Sequence, residues 1–309
     1  MKKPALVADI GASTIRIALV RPNGALGIVR SYALRLDENP ELHLAAALAA
    51  AKPRPDAAVL AVAAPVDGDQ VTMTNFNWSF SQKTLARSLR LKRLTVVNDF
   101  VAVAYALPAF RPADLVSIPG GHKNAKGILL ACGPGSGFGV AALIPAKRPI
   151  AIASEAGHTR LGASTSDAAR VVAHLVKELG TVVTEHVLSG PGLMRLHRIL
   201  TGKHEGAEEI ASAARKGRAD AKATTDMFLR WFGRIAGDLA LTFDARGGVY
   251  LAGGVSRSLA PLVASSQFRE TFENHPPYGV RLAAIPVHVV VHSAPGLLGA
   301  AVLAKRLMR

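Results

Sequence analysis

Short apolar runs rich in β-branched residues recur in the first hundred positions, and each ends at polar or turn-forming residues. They cover residues 5–8, 15–20, 57–64 and 94–100, and the last ends in the polar pair Asn98-Asp99. Such runs predict strands. Asn39-Pro40-Glu41 precedes an Ala/Leu-rich stretch to Lys52, which predicts an N-capped helix with proline at its first position. Strands mixed with helices indicate an α/β fold.

One arrangement occurs near the start of each half of the chain. Residues 6–20 predict a strand, a turn of small residues and a second strand, and residues 128–142 repeat that order. The repeat suggests a duplicated architecture with a ligand between the halves.

The second half is richer in helical patterns. Helical spacing and end signals predict helices at 166–179, 191–200 and 225–243. Residues 247–254 predict a strand that runs into a diglycine turn, and residues 285–292 predict one more strand. The segment 202–222, rich in glycine, alanine and charge, is expected to be a mobile surface excursion.

Composition limits the class of protein. The chain has 309 residues, a length that suggests two domains or one elaborated domain. Of these residues 50% are hydrophobic and 19% charged, a balance that excludes disorder. The net charge of +15 favours anionic partners without naming one. Cys132 is the one cysteine, so neither an internal disulfide nor a Cys-rich zinc site is expected. Asp9 interrupts the first apolar run, and no stretch reaches membrane-spanning length, so we expect a cytoplasmic protein with no membrane partner.

The two small-residue turns are candidate phosphate loops. Backbone amides approach phosphate oxygens only where side chains are absent or small. The second turn fits this requirement well, through Gly133, Gly135, Gly137 and Gly139 with the hydroxyl of Ser136, whereas the first offers only Gly11. Each leads into a strand, so neither is a Walker loop or a Rossmann fingerprint. Two ordinary hairpin turns remain the alternative.

Two carboxylates at strand ends are candidates for chemistry. Asp9 is suited to hold a water of a Mg²⁺ ion beside phosphates, or it simply caps the turn. Asp99 is suited to accept a hydroxyl proton during phosphoryl transfer to an alcohol, with Asn98 bonding a neighbouring hydroxyl. The pair also suits the cap of a helix that starts at Val101, and the two roles are compatible.

Glu155, His158 and Glu185 lie at or before small-residue turns and are candidate ligands for sugar hydroxyls, each of which donates and accepts. Their spacing alone favours the plainer interpretation of surface carboxylates and a satisfied histidine. A zinc site is weaker still, because an obvious third ligand is missing.

Taken in order, these segments resemble the bacterial glucokinase family of hexokinase-like kinases over nearly the whole chain. The motifs that carry the resemblance are Asp9-Ile-Gly-Ala-Ser13, Ala64-Pro-Val-Asp-Gly68, Met73–Phe80, Asn98-Asp-Phe100, the Gly133–Gly139 loop, Glu155-Ala-Gly-His158, Glu185–Gly192, Leu251-Ala-Gly-Gly254 and Pro295-Gly-Leu-Leu-Gly299.

The resemblance implies a two-domain α/β fold of the actin/hexokinase-like (ribonuclease H-like) ATPase type with an interdomain cleft. Residues 1–109, completed by a helix at about 295–309, would form a small α/β domain, and residues 110–294 a large α+β domain. The implied reaction is phosphorylation of glucose by ATP with Mg²⁺, in a homodimer.

The resemblance also implies a role for each site residue. Asp99 would be the base for the 6-hydroxyl, and other hydroxyls would be bound by Asn98, Glu155, His158 and Glu185. Phosphates would be held by Ala8, Asp9, Ile10, Gly11, Ala12 and Ser13 in the first loop and by Gly133, Gly135, Ser136 and Gly137 in the second. Gly253 and Gly254 would pack near adenosine.

The first loop departs from the family pattern Asp-x-Gly-Gly-Thr-Asn, because Ala12 and Thr14 replace a glycine and an asparagine. If Ala12 needs a positive φ, strain of about 1–2 kcal/mol follows and ATP use weakens. Pro134 in the second loop cannot donate an amide. The altered first loop leaves a weakened sugar-binding or regulatory homologue as one alternative. A kinase for another hexose is the other, because hydroxyl-binding residues alone do not fix the epimer. A specific nucleic-acid partner is not expected, because aromatic residues make up only 5% of the chain.

Overall fold

Two large sheets organise the chain, and each belongs to its own compact unit. The computed structural model describes residues 3–35, 38–74, 76–122, 124 and 126–308. Unit 1 consists of residues 1–110 and 292–309, and unit 2 of residues 111–291. Asn75, within the Met73–Phe80 motif, lies outside the described residues.

Among its described residues, the first part of unit 1 contains seven strands and three α-helices. Its elements are β1 (Ala5–Ile10), β2 (Thr14–Val20), β3 (Arg30–Ala33), α1 (Pro40–Ala50), β4 (Ala57–Val62), β5 (Gln70–Thr72), β6 (Ser79–Ser81), α2 (Gln82–Ser88), β7 (Arg93–Asn98) and α3 (Asp99–Ala106). The predicted helix after Asn39 is confirmed, because the Asn39 side chain accepts the Glu41 N–H and Pro40 is the first helical residue.

Unit 2 adds a second sheet and most of the helices. Its elements are β8 (Leu115–Ile118), β9 (Leu129–Pro134), β10 (Phe138–Ile144), β11 (Ile150–Ser154), α4 (Ser166–Leu179), α5 (Gly190–Thr201), α6 (Ala207–Arg215), α7 (Ala219–Thr242), β12 (Gly248–Leu251), α8 (Gly254–Val263), α9 (Phe268–Glu273), α10 (Gly279–Ala283) and β13 (Val287–Val290). The chain then returns to unit 1 with α11 (Pro295–Leu307).

The excursion predicted at residues 202–222 is wrong. The segment contains α6 and the first turn of α7, and Ile210, Ala211 and Ala214 bury one face of α6 in the core of unit 2. Glu209 accepts the N–H of Gly206, so a carboxylate fixes the start of α6. The charged residues that suggested a loop occupy the outer face of an amphipathic helix.

The two sheets repeat one topology, which confirms the duplicated architecture. The strand order is β3-β2-β1-β4-β7 in unit 1 and β11-β10-β9-β12-β13-β8 in unit 2. In each sheet the first three strands run antiparallel and the next two are added in parallel. β1 and β9 are therefore equivalent, and so are the turns that follow them.

The first sheet is covered on both faces, which explains its continuous apolar strands. Leu6, Ala8 and Ile10 of β1 join a cluster with Leu44 and Leu48 of α1. Alternate β1 residues pack in a second cluster on α11. β1 is therefore supported by packed residues on both of its faces. No helix within the described ranges has the length and hydropathy needed to span a membrane.

Candidate active site

The turn after β1 presents two adjacent amides. The Gly11 N–H donates to the Thr14 carbonyl at 2.9 Å and closes the turn. The N–H groups of Ala12 and Ser13 have no hydrogen-bond partner among the described residues. Two successive N–H groups at a turn form a small anion-binding concavity. The first loop therefore leaves two adjacent amides available to an anion such as phosphate.

The turn after β9 is one residue shorter than that after β1 and also leaves two adjacent amides without a partner in the part of the chain that the structure describes. The Gly135 N–H donates to the Gly137 carbonyl at 2.8 Å, and the amides of Ser136 and Gly137 make no hydrogen bond within the described chain. Pro134, which has no N–H, is the last residue of β9, so the amides of the turn come from the residues after it. The two equivalent loops thus each offer two amides and a serine hydroxyl.

Ala12 does not carry the strain that its sequence suggested. In the described part of the chain, the non-glycine residues with positive φ are Arg90 and Asp244. The first loop therefore accepts alanine without a left-handed conformation. Backbone strain at Ala12 is thereby removed as a reason for weakened ATP use.

Asp9 occupies a largely buried position between Arg16 and Gly296. Arg16 lies directly opposite it in the β1–β2 register, with Nη1 3.7 Å from Oδ2, and the Asp9 side chain is 15% exposed. Burial raises the pKa of the Asp9 carboxyl, and the charge of Arg16 opposes that shift. A Cβ added at Gly296 would lie 3.0 Å from the Asp9 Oδ1 atom. The N-terminus of α11 therefore approaches the carboxylate closely, which favours negative charge there.

Asn98 and Asp99 lie where β7 ends and α3 begins. The Asn98 Oδ1 atom accepts the N–H groups of Phe100 at 2.9 Å and Val101 at 3.2 Å, and its Nδ2 donates to the Ala64 carbonyl at 3.2 Å. The capping interpretation is thus confirmed for Asn98. Asp99 accepts the Phe100 N–H at 2.8 Å through Oδ1 and is partly exposed. The cap fixes the backbone of Asp99 and leaves its carboxylate at the carboxyl end of a parallel strand, where ligands of α/β sheets bind.

In unit 2, Glu185 connects the second loop to His158. Its Oε2 accepts the Phe138 N–H at 3.2 Å, and its Oε1 lies 4.0 Å from His158 Nδ1. A Cβ added at Gly137 would lie 2.6 Å from the same Oε2, so glycine at this position makes room for the carboxylate. The identity of Gly137 is thus explained within the protein itself.

Short helical turns hold the three polar residues of unit 2. Glu155 precedes the 3₁₀ turn Ala156–His158, and its carbonyl accepts the His158 N–H at 2.9 Å. Gly157 packs on β10, since a Cβ there would lie 2.3 Å from the Phe138 carbonyl oxygen. Ser189 donates to the Glu185 carbonyl at 2.7 Å and caps α5. Glu155 and His158 are exposed and Glu185 is partly buried.

The diglycine after β12 packs against the second loop. Gly253 has a φ of 101°, and a Cβ there would lie 2.2 Å from the Pro134 carbonyl oxygen. Gly254 begins α8, and nothing lies within 4 Å of the position of its missing side chain. A cavity of about 440 Å³ opens beside it, lined by Glu208, Arg215, Gly254, Arg257, Ser258 and Pro261.

The site also contains residues that sequence reasoning missed. Arg16 is a lone cation in the apolar strand β2, and only the strand register shows that it faces Asp9. Gly296 lay within a recognised motif but had no assigned role. Among the described residues, no group of three or more His, Cys, Asp or Glu side chains is arranged to hold a metal ion.

Comparison with known proteins decides the family. The glucokinase family model matches residues 6–307. A glucokinase from Psychromonas ingrahamii is 36% identical over 309 aligned residues, which cover 97% of this chain and 96% of that protein. The chain belongs to the glucokinase family. It is thereby a sugar kinase, a transferase, as the motifs predicted.

Other glucokinase-family matches place the chain in a wider context. It covers only 49% of a bifunctional protein from Paraburkholderia xenovorans, with 37% identity. The crystal structure of a glucokinase from an Antarctic psychrotroph has a TM-score of 0.85 at 31% identity and covers 98% of this chain and 99% of that one. A ROK family glucokinase from Streptomyces griseus, crystallised with glucose and AMPPNP, shares the fold with a TM-score of 0.69 at 22% identity, over 98% of this chain and 100% of that one. The predicted actin-like ATPase fold is confirmed.

Proposed function

We propose that this member of the glucokinase family phosphorylates the 6-hydroxyl of glucose with the γ-phosphoryl group of ATP. The observation that carries the proposal is the carboxylate of Asp99 at the carboxyl end of β7, on a backbone fixed by the Asn98 cap. Phosphoryl transfer to an alcohol needs little more from the protein than a proton acceptor, positioning and neutralisation of charge.

Each proposed role is assigned to residues within one of the two units. The oxygen of the 6-hydroxyl bonds to the γ-phosphorus and ADP leaves, while Asp99 accepts the proton of that hydroxyl. The remaining N–H of the Asn98 amide donates to a neighbouring hydroxyl. Glu155, His158 and Glu185 bind further hydroxyls, and the contact of Glu185 with the Phe138 amide and His158 supports a fixed orientation for its carboxylate.

The nucleotide is assigned to the glycine-rich elements. The paired amides of Ala12 and Ser13, and of Ser136 and Gly137, suit phosphate oxygens. The space beside Gly254 suits adenosine, and the cavity there has Arg257 among its lining residues.

Mg²⁺ belongs to this proposal as part of the MgATP substrate. A Mg²⁺ ion needs few protein ligands and keeps most of its waters. The buried carboxylate of Asp9 beside the first loop is suited to hold one of those waters. Arg16 and the N-terminus of α11 stabilise that carboxylate in its charged form.

The resemblance to bacterial glucokinases also supports a homodimer that works in the cytoplasm. Light scattering on the purified protein tests the first point, since a dimer has twice the mass of the 32.3 kDa chain.

A panel of hexoses crossed with phosphoryl donors tests the proposed reaction. The panel contains glucose, mannose and fructose, each with ATP, ADP and polyphosphate. We expect glucose with ATP to give the highest kcat/KM, by about tenfold or more. A hexose whose hydroxyls are placed differently would leave polar groups of the site without a hydrogen-bond partner. Preference for another hexose or another donor would contradict the proposal.

A further inference from the structure

A second cavity, of about 450 Å³, lies in unit 1 and shares no lining residue with the candidate active site. Its wall is formed by the outer part of β2, the connection from β2 to β3, and the end of α1. Ile17, Leu19, Ile28 and Ala47 contribute to an apolar lining. The volume lies within the range of small-molecule sites.

The cavity forms where β3 separates from β2. The two strands pair only from Thr14 to Ile17, with Arg30 opposite Ile17. Farther along β2, the partner is the connecting loop, because the Gly27 N–H donates to the Leu19 carbonyl at 2.8 Å. Between these two attachments Ile28 and Val29 lie outside the strands, and residues at the end of α1 line the cavity beside them.

Three cations line this apolar space. They are Arg21, Arg30 and Lys52, and no aspartate or glutamate is among the lining residues. Their side chains form no ion pair with a carboxylate in the described part of the chain. Elsewhere arginines are commonly paired, as in Arg111 with Asp114 and Arg218 with Glu205. Three cations without a carboxylate partner among the described residues create a local positive potential that favours an anion.

The rim is also unusually apolar for a surface. Ile28 lines the cavity and is 88% exposed, and the next residue, Val29, is 41% exposed. A large exposed aliphatic side chain at the mouth of a concave site is typical of a surface that binds an apolar group. Apolar walls and unpaired cations together specify a ligand with two chemical parts.

We propose that this cavity binds a small soluble amphipathic anion, with an alkyl or aryl body and one carboxylate. The body occupies the space between β2 and the end of α1, and Arg21, Arg30 and Lys52 neutralise the carboxylate. The site is independent of the kinase reaction proposed above, and its test is a binding measurement.

Titration calorimetry with a series of carboxylates tests both parts of the ligand. Acetate, butanoate, hexanoate and octanoate are titrated below any aggregation concentration, beside uncharged 1-octanol. We expect saturable binding of one octanoate per chain, with affinity rising about fourfold per methylene as apolar surface is buried. Both acetate and 1-octanol should bind at least tenfold more weakly. Equal binding of octanoate and 1-octanol, or no saturable octanoate binding, would overturn the proposal.

Variants locate the site. The double variant Arg30→Gln/Lys52→Gln should weaken octanoate binding at least tenfold, and Ala50→Phe, at an exposed position of the lining, should weaken it by filling the space. Lys147→Gln/Arg148→Gln, on an exposed turn of unit 2, is the matched control and should bind as the wild type does. An unchanged thermal midpoint shows that each variant is folded. If the control loses as much affinity as the site variant, the attraction is only net charge and the proposal fails.

Vesicles distinguish a soluble ligand from a lipid surface. Phosphatidylglycerol vesicles and neutral phosphatidylcholine vesicles are compared by sedimentation of the wild type. We expect that any binding of the wild type to the anionic vesicles is kept by Arg30→Gln/Lys52→Gln. Retention on anionic vesicles that depends on these residues, without binding of soluble octanoate, would overturn the proposal in favour of a membrane contact.

Discussion

Gly296 lies against the carboxylate of Asp9, so closely that a Cβ at position 296 would be 3.0 Å from both Cγ and Oδ1 of that aspartate. Three residues along the same helix, Gly299 meets α3, and a Cβ there would lie 1.7 Å from the Ala102 carbonyl oxygen. The two glycines of the Pro295–Gly299 motif therefore have different tasks. One leaves room for the Asp9 carboxylate, and the other lets α11 pack closely on α3.

The two glycines should respond differently to the same substitution. Gly296→Ala should lower kcat/KM for ATP about tenfold by displacing the Asp9 carboxylate, while the thermal midpoint stays close to that of the wild type. Gly299→Ala should destabilise the fold by about 1–3 kcal/mol, because backbone must move. Steady-state kinetics and thermal melts on both variants check this. If Gly296→Ala lost stability and kept its activity, the functional assignment would fail.

The raised pKa of Asp9 predicts a pH-dependent cost of its charge. Because burial raises the pKa above its ordinary value of 3.8, the folded state binds more protons than the unfolded state between the two values, and stability falls as pH rises through that window. Below it the cost is absent, and above it the cost is complete. Asp9→Asn should remove this slope and lower turnover about 100-fold.

Melting curves of the wild type and Asp9→Asn from pH 3 to pH 8 measure the effect. The difference between the two midpoints should shift in favour of the variant as pH rises and then become constant. A difference that moved in favour of the wild type would mean that Arg16 outweighs burial.

Substitutions at two glycines of the second loop should affect the two substrates differently. Gly137→Ala places a Cβ 2.6 Å from Glu185 Oε2, so it should raise the KM for glucose about tenfold through that displaced carboxylate. Gly135→Ala has open space around the new Cβ and is the matched comparison. It should leave the KM for glucose unchanged and act, if at all, on ATP. If both variants raised only the KM for ATP, and by the same factor, the contact between Gly137 and Glu185 would not be the reason that glycine is needed at position 137.

The conformation of Ala12 predicts that restoring the family's glycine changes little. Since Ala12 has no positive φ, Ala12→Gly relieves no strain and should alter the KM for ATP and kcat by less than about threefold. A gain of tenfold or more would show that the alanine side chain itself hinders the nucleotide. The variant therefore tests whether this chain is a full enzyme or a weakened one.

Local signals in the sequence predicted the elements well where caps and periodicity agree. The helix 166–179 has the predicted bounds, with Thr165 as its N-cap and Gly180 after it. The repeated strand-turn-strand pattern likewise predicted the two equivalent loops, because each is complete within about fifteen residues of chain.

Contacts between distant residues could not be predicted in the same way. The Phe138 amide and Glu185 are 47 positions apart, and Arg16 meets Asp9 only through the strand register. Helix α6 was missed because glycines flank it and its charged face dominates the composition, whereas its apolar face is recognised only beside α7 and α8. Sequence pattern fixes local geometry, and packing fixes partners.

The formation of glucose 6-phosphate by Asp99→Ala, measured in a coupled assay beside glucose binding by calorimetry, tests the central claim most directly. Without the carboxylate, the 6-hydroxyl has no proton acceptor, so turnover should fall at least about 1,000-fold while glucose affinity changes by less than about tenfold. The wild type under the same conditions must phosphorylate glucose with ATP. Near-normal turnover in Asp99→Ala would contradict the account.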